Sequence, residues 1–267
     1  MRRISGLALL AFAPMALAAG EVSVGTGINY TTGTYGGSNS TSIVTIPVIA
    51  RYEGDAWSFR ATVPYLRING PRAVIPGAGR IDNGNAIDDL LHLTGSQRGR
   101  SQTDSRTVSG IGDSTLSATY TMYSGSVSRS GVGLTGKVKL ATGDEAQGLG
   151  TGSNDFSFQV DGFQQMDRNT LFGVLGYTIF GNSPIVDFQN VANIGVGVSH
   201  RMDGVDSVGL AFDARQGGNP APAPLRELTA FWTHKLEGNW RTQAYFLKGF
   251  ARGSPDWGLG LNATLAF

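Results

Sequence analysis

Lys137 and Lys139 stand two residues apart in the stretch "GVGLTGKVKLATGDEAQGLGTGSNDFSF" (131–158). That spacing puts both ammonium groups on one face of an extended strand. Asp113 upstream, and Asp155 and Asp161 downstream, have the parity to share that face. Arg51, Arg60, Asp213 and Arg215 fall on the polar face of their own alternating segments. Ionisable groups gathered on one face can line an aqueous path and bias which solutes pass. They can equally pair with one another and hold a wall together. The wider set sets Arg51, Arg60, Lys137, Lys139, Arg201, Arg215, Lys235 and Arg241 against Glu21, Asp113, Asp155, Asp161, Asp213, Glu227 and Glu237. So near a balance favours pairing over strong ion selectivity.

Other chemistries fit less well. "GDEAQGLGTGSND" is rich in glycine, but no Gly-Lys-Ser/Thr follows, so it is not a phosphate loop. Asp144, Glu145 and Asp155 could hold a divalent cation weakly, but not with the spacing of a calcium loop. The histidines are His92, His200 and His234, and no nucleophile motif sits beside any of them. No catalytic residue, metal site or cofactor is expected. Net charge is +1, which gives no pull toward nucleic acid.

The elements that would position these charges are strands. Residues 1–18 have a basic start, a short apolar run and the small-residue exit Ala16-Leu17-Ala18, the pattern of a secretory signal peptide. Residues 19–267 contain no Cys and no apolar run of membrane-helix length. Their period is two almost throughout. Twelve candidate strands fall at 21–30, 42–52, 57–68, 111–123, 131–142, 154–166, 169–180, 190–201, 206–215, 226–237, 239–250 and 256–267. Each has about the length that crosses a bilayer at a tilt of ~45°. Large apolar residues occupy alternate positions, as in Ile46, Val48 and Tyr52, or Val208, Leu210 and Phe212. The segment "NTLFGVLGYTIF" (169–180) is apolar on both faces, so its phase is open.

Alternation alone suits a soluble sandwich as well as a barrel in lipid. The connections separate the two. Links after the even strands are short, such as "DR" and "DGVD", and links after the odd strands are mostly long. That asymmetry belongs to outer-membrane barrels, with short periplasmic turns and longer outer loops. Tyr52, Trp57, Tyr65, Trp240, Trp257 and Phe267 fall near strand ends, as interfacial girdles would. The last strand must pair with the first, because an open sheet edge cannot persist in lipid. The longest link, 69–110, includes "NAIDDLLHL" (85–93), which could form one or two helical turns. Folded inward, it would narrow the lumen; outside, it is a surface loop.

The central third carries a more specific signal. Gly110, Gly112, Asp113, Leu116 and Tyr120 are followed by Lys139, Leu140, Thr142, Gly143 and Asp144. Gly148, Gly150, Thr151, Gly152, Ser153, Asp155 and Phe156 complete the pattern, and "VPYLR" (63–67) adds a weaker match. This resembles the bacterial outer-membrane family named for the meta-pathway of phenol degradation. Ala141 stands where the family has proline. The resemblance implies an outer-membrane channel or transporter for small molecules, including hydrophobic or aromatic ones. A terminal strand ending in Phe267 also resembles the segment by which the outer-membrane insertion machinery recognises its clients.

The expectation is an all-β, antiparallel, up-and-down transmembrane barrel of about twelve strands in the bacterial outer membrane. Its partners would be membrane lipid, the insertion machinery and a small-molecule substrate. The alternative is a structural or adhesive barrel with a closed lumen, and an outer-membrane hydrolase ranks behind both.

Overall fold

The computed structural model describes residues 20–71, 74–76, 79–80 and 106–267. The signal-peptide segment, the segment 85–93 and His92 lie outside the described residues.

Strand formation follows the alternation. The strands are β1 (Glu21–Gly33), β2 (Thr41–Glu53), β3 (Trp57–Gly70), β4 (Val74–Ile75), β5 (Gly79–Arg80), β6 (Arg106–Ile111), β7 (Ser114–Gly125) and β8 (Ser130–Leu140). They continue as β9 (Asp155–Met166), β10 (Asn169–Ile179), β11 (Val191–Arg201), β12 (Asp206–Arg215), β13 (Leu225–Lys235), β14 (Trp240–Gly249) and β15 (Trp257–Ala266). β4 and β5 pair only with each other. The others form one antiparallel sheet that closes where β1 meets β15, from Ser23 opposite Ala266 to Thr32 opposite Trp257. β6 and β7 run end to end along β3, so the closed sheet is a barrel of twelve staves. Closure leaves no edge to solvate in hydrocarbon.

The link that the sequence suggests at 69–110 is shorter than expected. Residues 69 and 70 complete β3, and 106–110 belong to β6. The rest of that stave explains why its start is hard to read. β3 passes from Thr62, opposite Thr115, to Tyr65, opposite Ile111. Three steps on β3 therefore match four on its partner, which is a bulge. Gly112 and Asp113 form it, and the Gly112 N–H donates to the Pro64 carbonyl at 2.7 Å. The extra residue switches the buried parity from even (Val108, Gly110) to odd (Thr115, Ser117), which breaks any simple period-two pattern.

One face of every stave is exposed and apolar. Val48, Val196, Leu210, Phe158 and Leu261 are among the outward residues. In β10 the odd residues Leu171, Leu175 and Tyr177 point out, and Phe172 and Val174 point in. An exposed apolar belt on a closed barrel faces lipid. The short turns lie at the end that holds Glu21 and Ala266. One of them is the two-residue turn Asp167-Arg168, where Asp167 takes φ of 52° as a tight hairpin requires.

Candidate functional site in the barrel interior

The interior has two tiers. At the long-loop end the polar groups are completely buried. Lys139 sits on β8 directly opposite Asp155 on β9. Its Nζ lies 2.8 Å from Asp155 Oδ2 and 3.3 Å from Asp113 Oδ2, and it also meets the Thr151 hydroxyl. Asp113, at the bulge, accepts the Gly143 N–H at 2.9 Å and the Thr151 N–H at 3.3 Å. Asp155 Oδ1 accepts from the Ser153 hydroxyl at 3.2 Å and from the Gly181 N–H at 3.0 Å. The Thr142 hydroxyl donates to the Gly112 carbonyl at 2.7 Å. The bulge, the start of β9 and the loop 141–154 therefore converge on one ammonium, and the start of the loop after β10 joins them through Asp155. One cation between two carboxylates, with backbone donors on the remaining oxygens, is how buried charge becomes tolerable. Asp144, by contrast, accepts from Gln147 within its own loop.

Beside this network lies an apolar cluster of Tyr35, Ile43, Leu66, Ile68, Val74 and Leu149, with Val108 packed against it. Burial pushes the Tyr35 hydroxyl well above its ordinary range, and the Thr31 hydroxyl lies 3.4 Å away. A second cluster joins Ile75, Ile185, Val186 and Ala221 from three different loops. The loops thus meet over the barrel mouth through apolar contact.

The short-turn end is looser. Arg51, Arg60, Lys137 and Asp161 are only partly buried. Arg51 faces Arg60 directly across the β2–β3 ladder and forms an ion pair with Glu53 on its own strand. Asp161 accepts from the Thr135 hydroxyl at 3.1 Å. Back at the long-loop end, the wall opposite Arg51 and Lys137 carries both signs of charge. Asp213 stands directly across from Glu227, both buried, and the Arg215 guanidinium donates to the Ala223 carbonyl at 2.6 Å. In ring order, three staves separate β8 from β12 and three separate β13 from β2. Each wall carries both signs of charge: Lys137 and Lys139 with Asp155 and Asp161 on β8 and β9, and Arg215 with Asp213 and Glu227 on β12 and β13.

Of the interfacial aromatics, Tyr52, Trp57, Trp240 and Phe267 lie exposed at the short-turn end, and Tyr65 and Trp257 are exposed further up. Trp57 stacks on Phe59 at 6.2 Å and meets Tyr120 at 5.0 Å. The Phe267 N–H donates to the Val22 carbonyl at 2.9 Å, which ties the last residue to β1.

Sequence reasoning missed the inward apolar residues Ile43, Leu66 and Ile68. The signal was available, because "SIVTIPVIA" (42–50) is apolar on both faces. It also left out Thr151 and Ser153, although both sit inside the matched motif.

No protein-family model matches the chain, and no curated protein matches it. Its structure is similar to solved outer-membrane channels. The COG4313 outer membrane channel from Pseudomonas putida F1 matches at a TM-score of 0.69 and 14% identity, over 94% of this chain and 97% of that one. KdgM porin matches at 0.53 and 8%, over 92% of this chain and 99% of that one. At such identities the likeness establishes the fold, and the fold is that of an outer-membrane β-barrel.

Proposed function

We propose that this barrel is a gated conduit for small molecules across the bacterial outer membrane. The observation that carries the reading is the tiered interior. A partly open, charged half faces the periplasm, and a packed half faces outward. Asp113, Lys139 and Asp155 hold the loop 141–154 across the mouth. Arg51, Arg60 and Lys137 on one wall, with Asp213 and Arg215 opposite, set the field that a solute meets inside, and Asp161 adds a carboxylate to the looser half. The apolar cluster around Tyr35 and Leu66 favours solutes with hydrophobic or aromatic character, because a dry constriction opposes bare ions. No catalytic role is assigned to any residue. The insertion machinery is the partner proposed for β15 and Phe267.

Osmotic swelling of proteoliposomes, with solutes graded in size and polarity, tests this function. Small solutes should enter faster than into protein-free vesicles, with a sharp size limit. Rates equal to those of protein-free vesicles for every solute would oppose passage. The buried outer half favours a second reading, a structural barrel with a closed lumen, and equal rates would favour it.

A further inference from the structure

The outer wall over β11–β14 carries a groove of about 700 Å³. Two rows of outward side chains cross these strands. One row is Val198, Leu210, Ala230 and Phe246, each directly opposite the next. The row nearer the short turns is His200, Val208, Trp232 and Ala244. Each row is interrupted by an alanine. Ala230 and Ala244 are diagonal neighbours on β13 and β14, and their missing bulk makes the groove.

The side of the groove nearest the short turns is held firmly. The Trp232 indole N–H donates to Asp206 Oδ1 at 2.7 Å, and His234 Nδ1 lies 2.8 Å from the same oxygen. A wall already fixed in place loses little freedom when something packs on it.

The lower end of the groove is polar and carries both signs of charge. Asn169 and His200 line it, with His200 Nδ1 and Asn169 Oδ1 2.9 Å apart. The neighbouring Arg168 is exposed, and its guanidinium reaches the Met202 carbonyl at 3.4 Å. Arg168 therefore sits over the β11–β12 turn, which also carries Asp203. Asp203 is exposed and accepts the N–H groups of Asp206 at 2.6 Å and Val205 at 2.8 Å. Those bonds hold its carboxyl below the usual carboxylate range.

An apolar groove in lipid, ending at the membrane surface in a cation and then an anion, matches a zwitterionic glycerophospholipid. We propose that the β11–β14 groove binds one phosphatidylethanolamine molecule of the periplasmic leaflet. One acyl chain lies over Ala230 and Ala244. The phosphate meets Arg168 and the Asn169 amide, and the ammonium meets Asp203. The anionic phosphatidylglycerol would place a neutral glycerol there, which offers the Asp203 carboxylate no opposite charge. This inference depends on the orientation of the barrel and not on what passes through it.

Native mass spectrometry of the mature barrel, delipidated in mild detergent and titrated with phosphatidylethanolamine or phosphatidylglycerol, tests the site. The wild type should take one phosphatidylethanolamine in preference to phosphatidylglycerol. Ala244→Phe fills the groove and should abolish that adduct. Arg168→Gln, on an exposed turn, should weaken it roughly tenfold, the ratio that one lost charge-assisted hydrogen bond carries. Ala230→Phe gives a second filled groove should Ala244→Phe fail to fold. Equal affinity of the wild type for the two lipids would overturn the proposal. So would unchanged binding in Arg168→Gln or in a folded groove-filled variant.

Discussion

Lys139 and Asp155 stand directly opposite each other on adjacent strands, Nζ to Oδ2 at 2.8 Å, with both side chains wholly buried. The pair ties the barrel wall to the loop above it, because Asp155 also accepts the Gly181 N–H and Asp113 grips the loop at Gly143 and Thr151.

Removing the shared cation should be costly. Lys139→Met leaves two buried carboxylates side by side. Breaking a buried pair in this way costs about 3–5 kcal/mol. Urea unfolding of the barrel in vesicles should show that loss. Thr151→Val, which removes only a hydroxyl, should cost less, about 1–3 kcal/mol. Equal stability of Lys139→Met and wild type would mean that the network does not hold the mouth.

Charge on the outward face of a strand should be costly in lipid. Val196 is exposed in the middle of β11, and Asn193 is buried on the other face. Val196→Arg should destabilise the folded barrel in lipid by about 2–4 kcal/mol. Val196→Leu should be nearly neutral. The same unfolding assay reads both. An arginine tolerated at Val196 would mean that this face does not meet hydrocarbon.

Strand rhythm and loop asymmetry were legible because lipid on one side forces alternation, but the phase of β10 was not, because Phe172 and Val174 make its inner face apolar as well. The observed strands fall within a few residues of those expected, and the closure of β15 on β1 follows from the same constraint. The stave of β6 and β7 was only half legible, because the extra residue at Gly112–Asp113 shifts the parity. The site was partly legible. Asp113, Lys139 and Asp155 could be grouped from parity, but not their convergence on one point, which depends on how two loops fold back.

The facing of Arg51 by Arg60 has its own consequence. Arg51 and Arg60 face each other at the looser end of the interior, so that end should attract anions. Arg60→Glu should shift the reversal potential of any measured current toward cation preference. An unchanged reversal potential would place the conducting path away from β3.

Closure should depend on the final strand. Phe267 is bonded to Val22 and is the most exposed aromatic among the described residues, at 72%. Phe267→Ser should lower the yield of barrel assembled in outer membranes, with little effect on refolding in detergent. Equal loss in both settings would point to a packing role and not to recognition by the insertion machinery.

A conduit gated by the loop 141–154 should change its conductance when that loop is shortened. The most direct measurement is single-channel conductance in planar bilayers of the folded wild type beside a folded variant lacking residues 144–150. Rare, small steps are expected from the wild type and steady, larger steps from the deletion. Large steady steps from the wild type would contradict the gate, and flat traces from both would contradict the conduit.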